Sequence, residues 1–281
     1  MERRQNYQND KPTLFLIPTP IGNLGDMTFR AVETLKRIDI LYAEDTRVSQ
    51  KLLQHFDIKK PLHSYHEHNK RTETPILVGH LAAGKNVGLV TDAGMPLISD
   101  PGFEAAAAAA AAGYNVVALP GANAALTGLA MAGIKTHPFL FFGFPDHKQG
   151  KRIRQFEQLK TQTETLVFYE APHRLKETLT DLYNVFGDRQ AAVLREITKK
   201  FEEVVRGSLS ELAAVTEWLG EAVIVVTGSS AADTPAPDVP IRATVDRLIA
   251  SGCSKSDAMK QVAALKGVTK SVIYKNYLDQ E

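Results

Sequence analysis

Short apolar runs, each broken by a polar loop and most of those loops carrying glycine or proline, set the rhythm of this 281-residue chain. Thr13 to Ile17 is a run of strand length that stops at Pro18-Thr-Pro-Ile-Gly-Asn23, as a buried strand does on entering a tight loop. Asp26 and Thr28 then open a helix whose apolar positions Ala31, Val32, Leu35 and Ile38 recur at helical spacing. Ile40 to Ala43 predicts a second strand, with Glu44-Asp-Thr-Arg47 at its end. Val87 to Thr91 predicts a third, ending in Asp92-Ala-Gly-Met-Pro96, and Asn115 to Leu119 a fourth, ending in Pro120-Gly-Ala-Asn123. Strand, loop and helix in alternation predict an α/β fold with a mostly parallel sheet. Ligands in such sheets settle beyond the carboxyl ends of the strands. The four loops are therefore expected to meet in one cleft, where missing side chains let backbone approach a ligand closely.

Ala105 to Ala112 is an unbroken alanine run, favourable for a helix but without an amphipathic face. A second lobe is expected from Pro138 onward. It holds Phe139-Leu-Phe-Phe-Gly-Phe-Pro145, a polar helix, and the strand Thr165 to Tyr169 ending in Glu170-Ala-Pro-His-Arg174. Ala191 to Thr198 and Ala222 to Thr227 add strands, and residues 229–240, rich in Ser, Ala, Pro and Asp, read as a linker. Three short helices follow, with Ser254-Lys-Ser-Asp257 as a capping region and Gly267 as a break, in helix-turn-helix spacing. The expected division is an α/β lobe over 12–136, a second over 137–229, a linker over 230–240 and a helical module over 241–281.

Composition narrows the partners. Lys and Arg total 33 against 32 Asp and Glu, so no global field draws the chain to nucleic acid, although Lys148 to Arg154 and Lys199-Lys200 are locally basic. A single cysteine, Cys253, excludes a disulfide framework within the chain and points to a reducing, cytoplasmic compartment. The polar residues after Met1-Glu-Arg-Arg4 read as the absence of a secretory signal, and no apolar run approaches bilayer length, so no membrane partner is expected. Neither a dinucleotide glycine fingerprint nor a Walker lysine occurs. His63, His66 and His68 lie in a polar stretch without nearby cysteines, and no metal site is expected there.

Five motifs in order, Pro18 to Leu24, Ala43 to Arg47, Asp92 to Gly102, Pro120 to Asn123 and Phe168 to Arg174, resemble the tetrapyrrole methylase superfamily. The resemblance spans residues 12 to 281 and is greatest to the branch whose members methylate ribosomal RNA. It implies a bilobal class III methyltransferase fold, a homodimer, and S-adenosyl-L-methionine held between the lobes. The implied acceptor is the ribose 2′-oxygen of a cytidine in 16S rRNA of the small ribosomal subunit. By motif position the cofactor is expected at Pro20, Ile21, Gly94, Met95, Ile98, Asn123, Ala124, Tyr169, Glu170, Ala171 and Ala222. Met95 stands where tetrapyrrole-modifying relatives carry the aspartate of a Gly-Asp-Pro turn, which leaves backbone atoms to act there.

A sulfonium methyl is already activated, so the protein must align the nucleophile and exclude water. A ribose hydroxyl is a poor nucleophile that gains from a nearby base. Asp45, Asp92, Asp100 and Glu170 are the candidates, while Arg47, Arg174, Arg195, Lys151 and Arg152 are candidates for gripping RNA phosphates. Each has a structural alternative: Asp45 as a helix cap, Asp100 as a turn residue before Pro101, Arg174 as part of a solvated helix start. The phenylalanines from 139 to 144 read as packing, with Phe144 the one placed to face a ligand. Two other functions fit the same features: a small-molecule methylase of the tetrapyrrole type, and a nucleic-acid-binding regulator that senses a nucleoside. The helical module and basic loops argue against the first.

Overall fold

The computed structural model describes residues 5–6, 9–230, 241–266 and 268–278. The first sheet contains β1 (Thr13–Leu16), β2 (Ile40–Ala43), β3 (Leu62–Ser64), β4 (Val87–Val90) and β5 (Asn115–Ala118), in the order β3-β2-β4-β1-β5. Every pairing in it is parallel. All residues of β2 and β4 are buried, which is why these strands read as continuous apolar runs. Between the strands lie α1 (Phe29–Arg37), α2 (Thr46–His55), α3 (Lys70–Ala82) and α4 (Phe103–Ala111). α1 and α2 pack on one face through Ala31, Leu35 and Leu53. α3 and α4 pack on the other through Leu77, Leu81, Ala105 and Ala109. The neighbouring strands β1 and β4 thus lead to opposite faces, which opens a crevice at their carboxyl ends. The alanine run also acquires a buried side: Ala105 and Ala109, one turn apart, meet the sheet.

The second sheet departs from the parallel alternation of the first. β6 (Phe139–Gly143), β7 (Thr165–Glu170), β8 (Gln190–Arg195), β9 (Glu203–Ser208) and β10 (Ala222–Val226) run in the order β6-β7-β10-β8-β9. Only β6 and β7 are parallel, since β10 inserts antiparallel between β7 and β8, and β9 folds back on β8. One face is covered by α6 (Gln149–Leu159), α7 (Pro172–Phe186) and α8 (Leu209–Ala214). The other is covered by α5 (Ala124–Met131), which follows the first sheet in the chain. Ala125, Leu129 and Ala132 pack there on Val167, Ala192 and Val223, and a Cβ on Gly128 would lie 2.9 Å from Val223. α5 therefore joins the two lobes.

α9 (Ile241–Ala250), α10 (Lys255–Lys266) and α11 (Lys270–Leu278) share a core of their own around Val245, Met259, Val262, Ile273 and Tyr277. The expected linker over 230–240 falls, apart from Ser230, outside the described residues, as does Gly267. No helix among the described residues is long and apolar enough to cross a membrane.

Candidate functional site

The loops after β1, β4 and β5 are held together by backbone. Thr19 and Gly94 exchange two backbone hydrogen bonds of 2.9 and 3.0 Å, and the Thr19 hydroxyl donates to the Thr91 carbonyl at 3.1 Å. Gly94 adopts φ +87°, a conformation that disfavours a side chain, and a Cβ there would approach Ile21 Cγ2 to 3.3 Å. A Cβ on Gly121 would collide with Pro18 at 2.6 Å, so the β1 and β5 loops touch only because that residue is glycine. Asn123 caps α5, its side-chain oxygen accepting the Leu126 amide at 2.9 Å. From the second lobe Tyr169 reaches across and its hydroxyl oxygen accepts the Ala125 amide at 3.0 Å. A further link between lobes is the Thr198 hydroxyl, which donates to Asp26 Oδ2 at 2.5 Å.

Between these elements lies a cleft of about 440 Å³, within the range of small-molecule sites. Of the positions the resemblance assigns to a cofactor, Ile21, Gly94, Met95, Ile98, Asn123, Ala124, Tyr169, Glu170, Ala171 and Ala222 line it. Pro20 does not; it lines a second pocket of about 280 Å³ on the other side of its loop. Phe144, 53% exposed, lines the mouth with its ring 5.3 Å from that of Tyr169, whereas Phe142 packs on Phe168. The cleft also contains Lys199, from the locally basic pair Lys199-Lys200, together with Glu44, Glu196 and Glu221, for which the sequence gives no site signal. The Lys199 ammonium lies 3.0 Å from Glu196 and 3.5 Å from Glu221, and its alkyl chain fills the space a Gly22 side chain would occupy.

The wall formed by the first sheet is acidic. The Thr91 hydroxyl donates to Glu44 Oε2 at 2.8 Å, and the Asp45 amide donates to Asp92 Oδ1 at 3.0 Å. Partial burial raises the Asp92 carboxyl above its ordinary range, against the bond from Asp45, and the Glu44 charge adds to the rise. Asp100 is pushed up to about 6, first by burial and then by the negative charge of Glu44. A cation entering the cleft would relieve both carboxylates.

The other acidic candidates are occupied. Asp45 lies outside the cleft lining and is the N-cap of α2, accepting the Arg47 amide at 2.8 Å. Its carboxyl also grips the Arg47 guanidinium, at 2.6 Å for the closest pair, and that bond holds it down at about 2, unsuited to taking a proton at neutral pH. Glu170 lines the cleft with a fully buried carboxylate that fastens β7 to α7: Oε1 accepts from the Ala171 amide and Arg174, and Oε2 from the Thr178 hydroxyl. With those bonds made, Glu170 holds structure and is not available as a base.

The five basic candidates do not gather on the cleft. Arg152 is 1% exposed, so the phosphate-binding expectation is corrected: its Nη2 lies 2.7 Å from Asp181 Oδ2, inside the α6–α7 packing. Arg174 is held by Glu170, and Arg195 by Glu203 and the Leu219 carbonyl. Arg47 is exposed but forked onto Asp45, and Lys151 is exposed on α6, 3.8 Å from Asp146. His63 stacks on Tyr42 with ring centroids 5.2 Å apart, and no group of three His, Cys, Asp or Glu among the described residues could hold a metal.

Residues 13–213 match the sequence profile of the Tetrapyrrole (Corrin/Porphyrin) Methylases. The chain belongs to the tetrapyrrole methylase family. The Ribosomal RNA small subunit methyltransferase I of Bacillus subtilis (strain 168) is 44% identical over 288 residues, covering 99% of both chains. The protein of the same name from Halalkalibacterium halodurans is 45% identical with the same coverage, and that of Synechocystis sp. is 43% identical over 95% of this chain and 98% of its own. Among solved structures the methyltransferase CobJ superposes with a TM-score of 0.59 at 17% identity, covering 78% of this chain and 95% of its own. Uroporphyrin-III-C-methyltransferase from Thermus thermophilus gives 0.55 at 20% identity, covering 77% and 94%. At such identities these two show a shared fold. The tetrapyrrole methylase fold expected from the motifs is present, with three helices appended to it.

Proposed function

We propose that this protein transfers a methyl group from S-adenosyl-L-methionine to the ribose 2′-oxygen of a cytidine in 16S rRNA, acting in the cytoplasm as a homodimer. The observation that carries the proposal is the two-lobed cleft with one acidic wall. It pairs apolar surface at Ile21, Ile98 and Ala222 with carboxylates at Glu44, Asp92 and Asp100, which suits a ligand that is part nucleoside and part cation. The tight turn at Gly94 packs the β4 loop on the β1 loop and keeps its backbone at the cleft wall beside Met95. When bound, the cofactor supplies a methyl already activated by a positive sulfur.

The chain's own part is to orient and to move one proton. Asp92, raised but still exposed to the cleft, is placed to accept the proton the 2′-hydroxyl loses on methylation, while the positive sulfur of a bound cofactor would give up the methyl and leave as a neutral thioether. Asp100 and Glu44 remain as fixed negative charge. Tyr169 and Phe144 close the second-lobe side and limit water. Full-length relatives named for the small-subunit rRNA support the choice of acceptor. A second reading, methylation of a tetrapyrrole, draws on the fold shared with uroporphyrin-III-C-methyltransferase.

Incubation with labelled cofactor and either undermethylated 30S subunits or uroporphyrinogen separates the two. Label in 16S rRNA, released as a 2′-O-methylated cytidine on digestion, is the expected result. Label in the porphyrin with none in RNA would overturn it.

A further inference from the structure

The second pocket, of about 280 Å³, opens between the Pro18–Asn23 loop and one face of α2. Thr91 and Asp92 line both it and the cofactor cleft, so the two cavities meet at a common wall. Leu24 and Val48 enter it from opposite elements and are 44% and 42% exposed, an apolar pair with no covering partner among the described residues. Lys51 and His55 follow Val48 at spacings of three and seven residues, which puts all three on one side of the helix. Ser49, 2% exposed, also lines the pocket, and its buried hydroxyl has no hydrogen-bond partner among the described residues.

We propose that this pocket receives the acceptor nucleotide, displaced from its RNA stack, with its ribose at the Asp92 wall. The inference rests on the methyl-transfer reading above and adds to it where the acceptor sits. A nucleotide presents a flat face, a polar edge and a phosphate. Leu24 and Val48 offer two aliphatic surfaces for the flat base, Lys51 an ammonium for a flanking phosphate, and His55 an imidazole N–H beside it. Asp92 is the one carboxylate lining both cavities, as transfer between neighbouring chambers requires. The placement also accounts for Pro20, which the motifs assign to the cofactor but which faces this side of the loop. It gives RNA a basic helix face instead of Arg152, Arg174 and Arg195, whose guanidinium groups are already held.

The test uses the full chain, undermethylated 30S subunits and labelled S-adenosyl-L-methionine. Val48→Trp fills the pocket and Lys51→Glu, at an exposed position, reverses charge without touching the core. Val48→Trp is expected to raise KM for the subunit about tenfold or more, the scale of an overpacked contact. Lys51→Glu is expected to raise KM and to reduce the salt dependence of binding by about one phosphate contact. Cofactor affinity by calorimetry and the thermal midpoint should match wild type in both. Wild-type KM in Lys51→Glu together with a folded, fully active Val48→Trp would overturn the inference and leave methyl transfer standing. A parallel loss of cofactor affinity would also overturn it, by making the pocket part of the cofactor site. If wild-type protein labels no rRNA, the methyl-transfer reading itself fails, and this placement with it.

Discussion

The backbone amide of Asp45 donates a 3.0 Å hydrogen bond to Oδ1 of Asp92, joining β2 to β4 just beyond their last paired residues, Ala43 and Val90. One residue earlier on both chains, the Thr91 hydroxyl bonds Glu44. Side chains thus continue the sheet where its ladder ends, and they fix the direction of Asp92 at the wall between two cavities. Asp92 has no other hydrogen bond among the described residues, which leaves its second oxygen for a ligand.

Asp92→Asn preserves the acceptor for the Asp45 amide and removes the charge. Loss of a general base lowers transfer by about 10²–10⁴-fold. Cofactor affinity should fall by no more than about fivefold, since one exposed charge near 4 Å is worth about 1 kcal/mol in water. Single-turnover methylation and calorimetry measure the two separately. Equal losses in both would place Asp92 in cofactor binding alone.

Asp100 makes stability depend on pH. Its carboxyl titrates at about 6 in the folded chain against an ordinary 3.8, so between those values the folded state holds a proton that the unfolded state has released. Stability therefore falls as pH rises through that window, and the full cost is present above it. Asp100→Asn removes the cost: the variant should melt above wild type at pH 7.5, by roughly 2–4 °C for each kcal/mol gained, and at the same temperature below about pH 3.5. A cationic cofactor favours the ionised form, so wild-type affinity should also rise from pH 5 to pH 7.5. Flat profiles in both experiments would contradict the buried acidic wall.

Arg152 is a structural residue. Arg152→Ala leaves Asp181 charged and 2% exposed, which costs about 3–5 kcal/mol by the usual scale for a broken buried pair. Replacing both with leucine should recover most of that loss. Chemical denaturation measures the stabilities, and RNA affinity of the double variant should equal wild type. Weakened RNA binding in a stable double variant would restore the phosphate role.

Much of this arrangement is legible from residues. β1, β2, β4, β7 and β10 are buried almost throughout, so each appears as an apolar run, and the segments after all but β2 carry the glycines or prolines that close approach demands. β3 is three half-buried residues, Leu-His-Ser, and β9 is an edge strand reading Glu-Val-Val-Arg-Gly-Ser; neither has a hydrophobic signature. The antiparallel order of the second sheet follows from the β8–β9 turn, which no local pattern announces. Arg152 lies among four cationic or polar neighbours, Lys148, Gln149, Lys151 and Arg154, and its buried partner Asp181 is 29 residues away. Glu44 follows a buried strand at the level of Thr91, one residue before the helix cap Asp45, and nothing in its local pattern separates it from that cap. α5 is small and largely apolar, with Ala125, Gly128 and Leu129 buried toward the second sheet and Leu126 left exposed; its composition marks a packed helix but does not say which lobe it covers.

A crystal structure with S-adenosylhomocysteine bound tests the central claim most directly. Density is expected in the cleft between the lobes, against Gly94, Tyr169 and Ala222, with the sulfur facing the Asp92 wall. Density in the α2 pocket, or on a surface away from both sheets' strand ends, would contradict it.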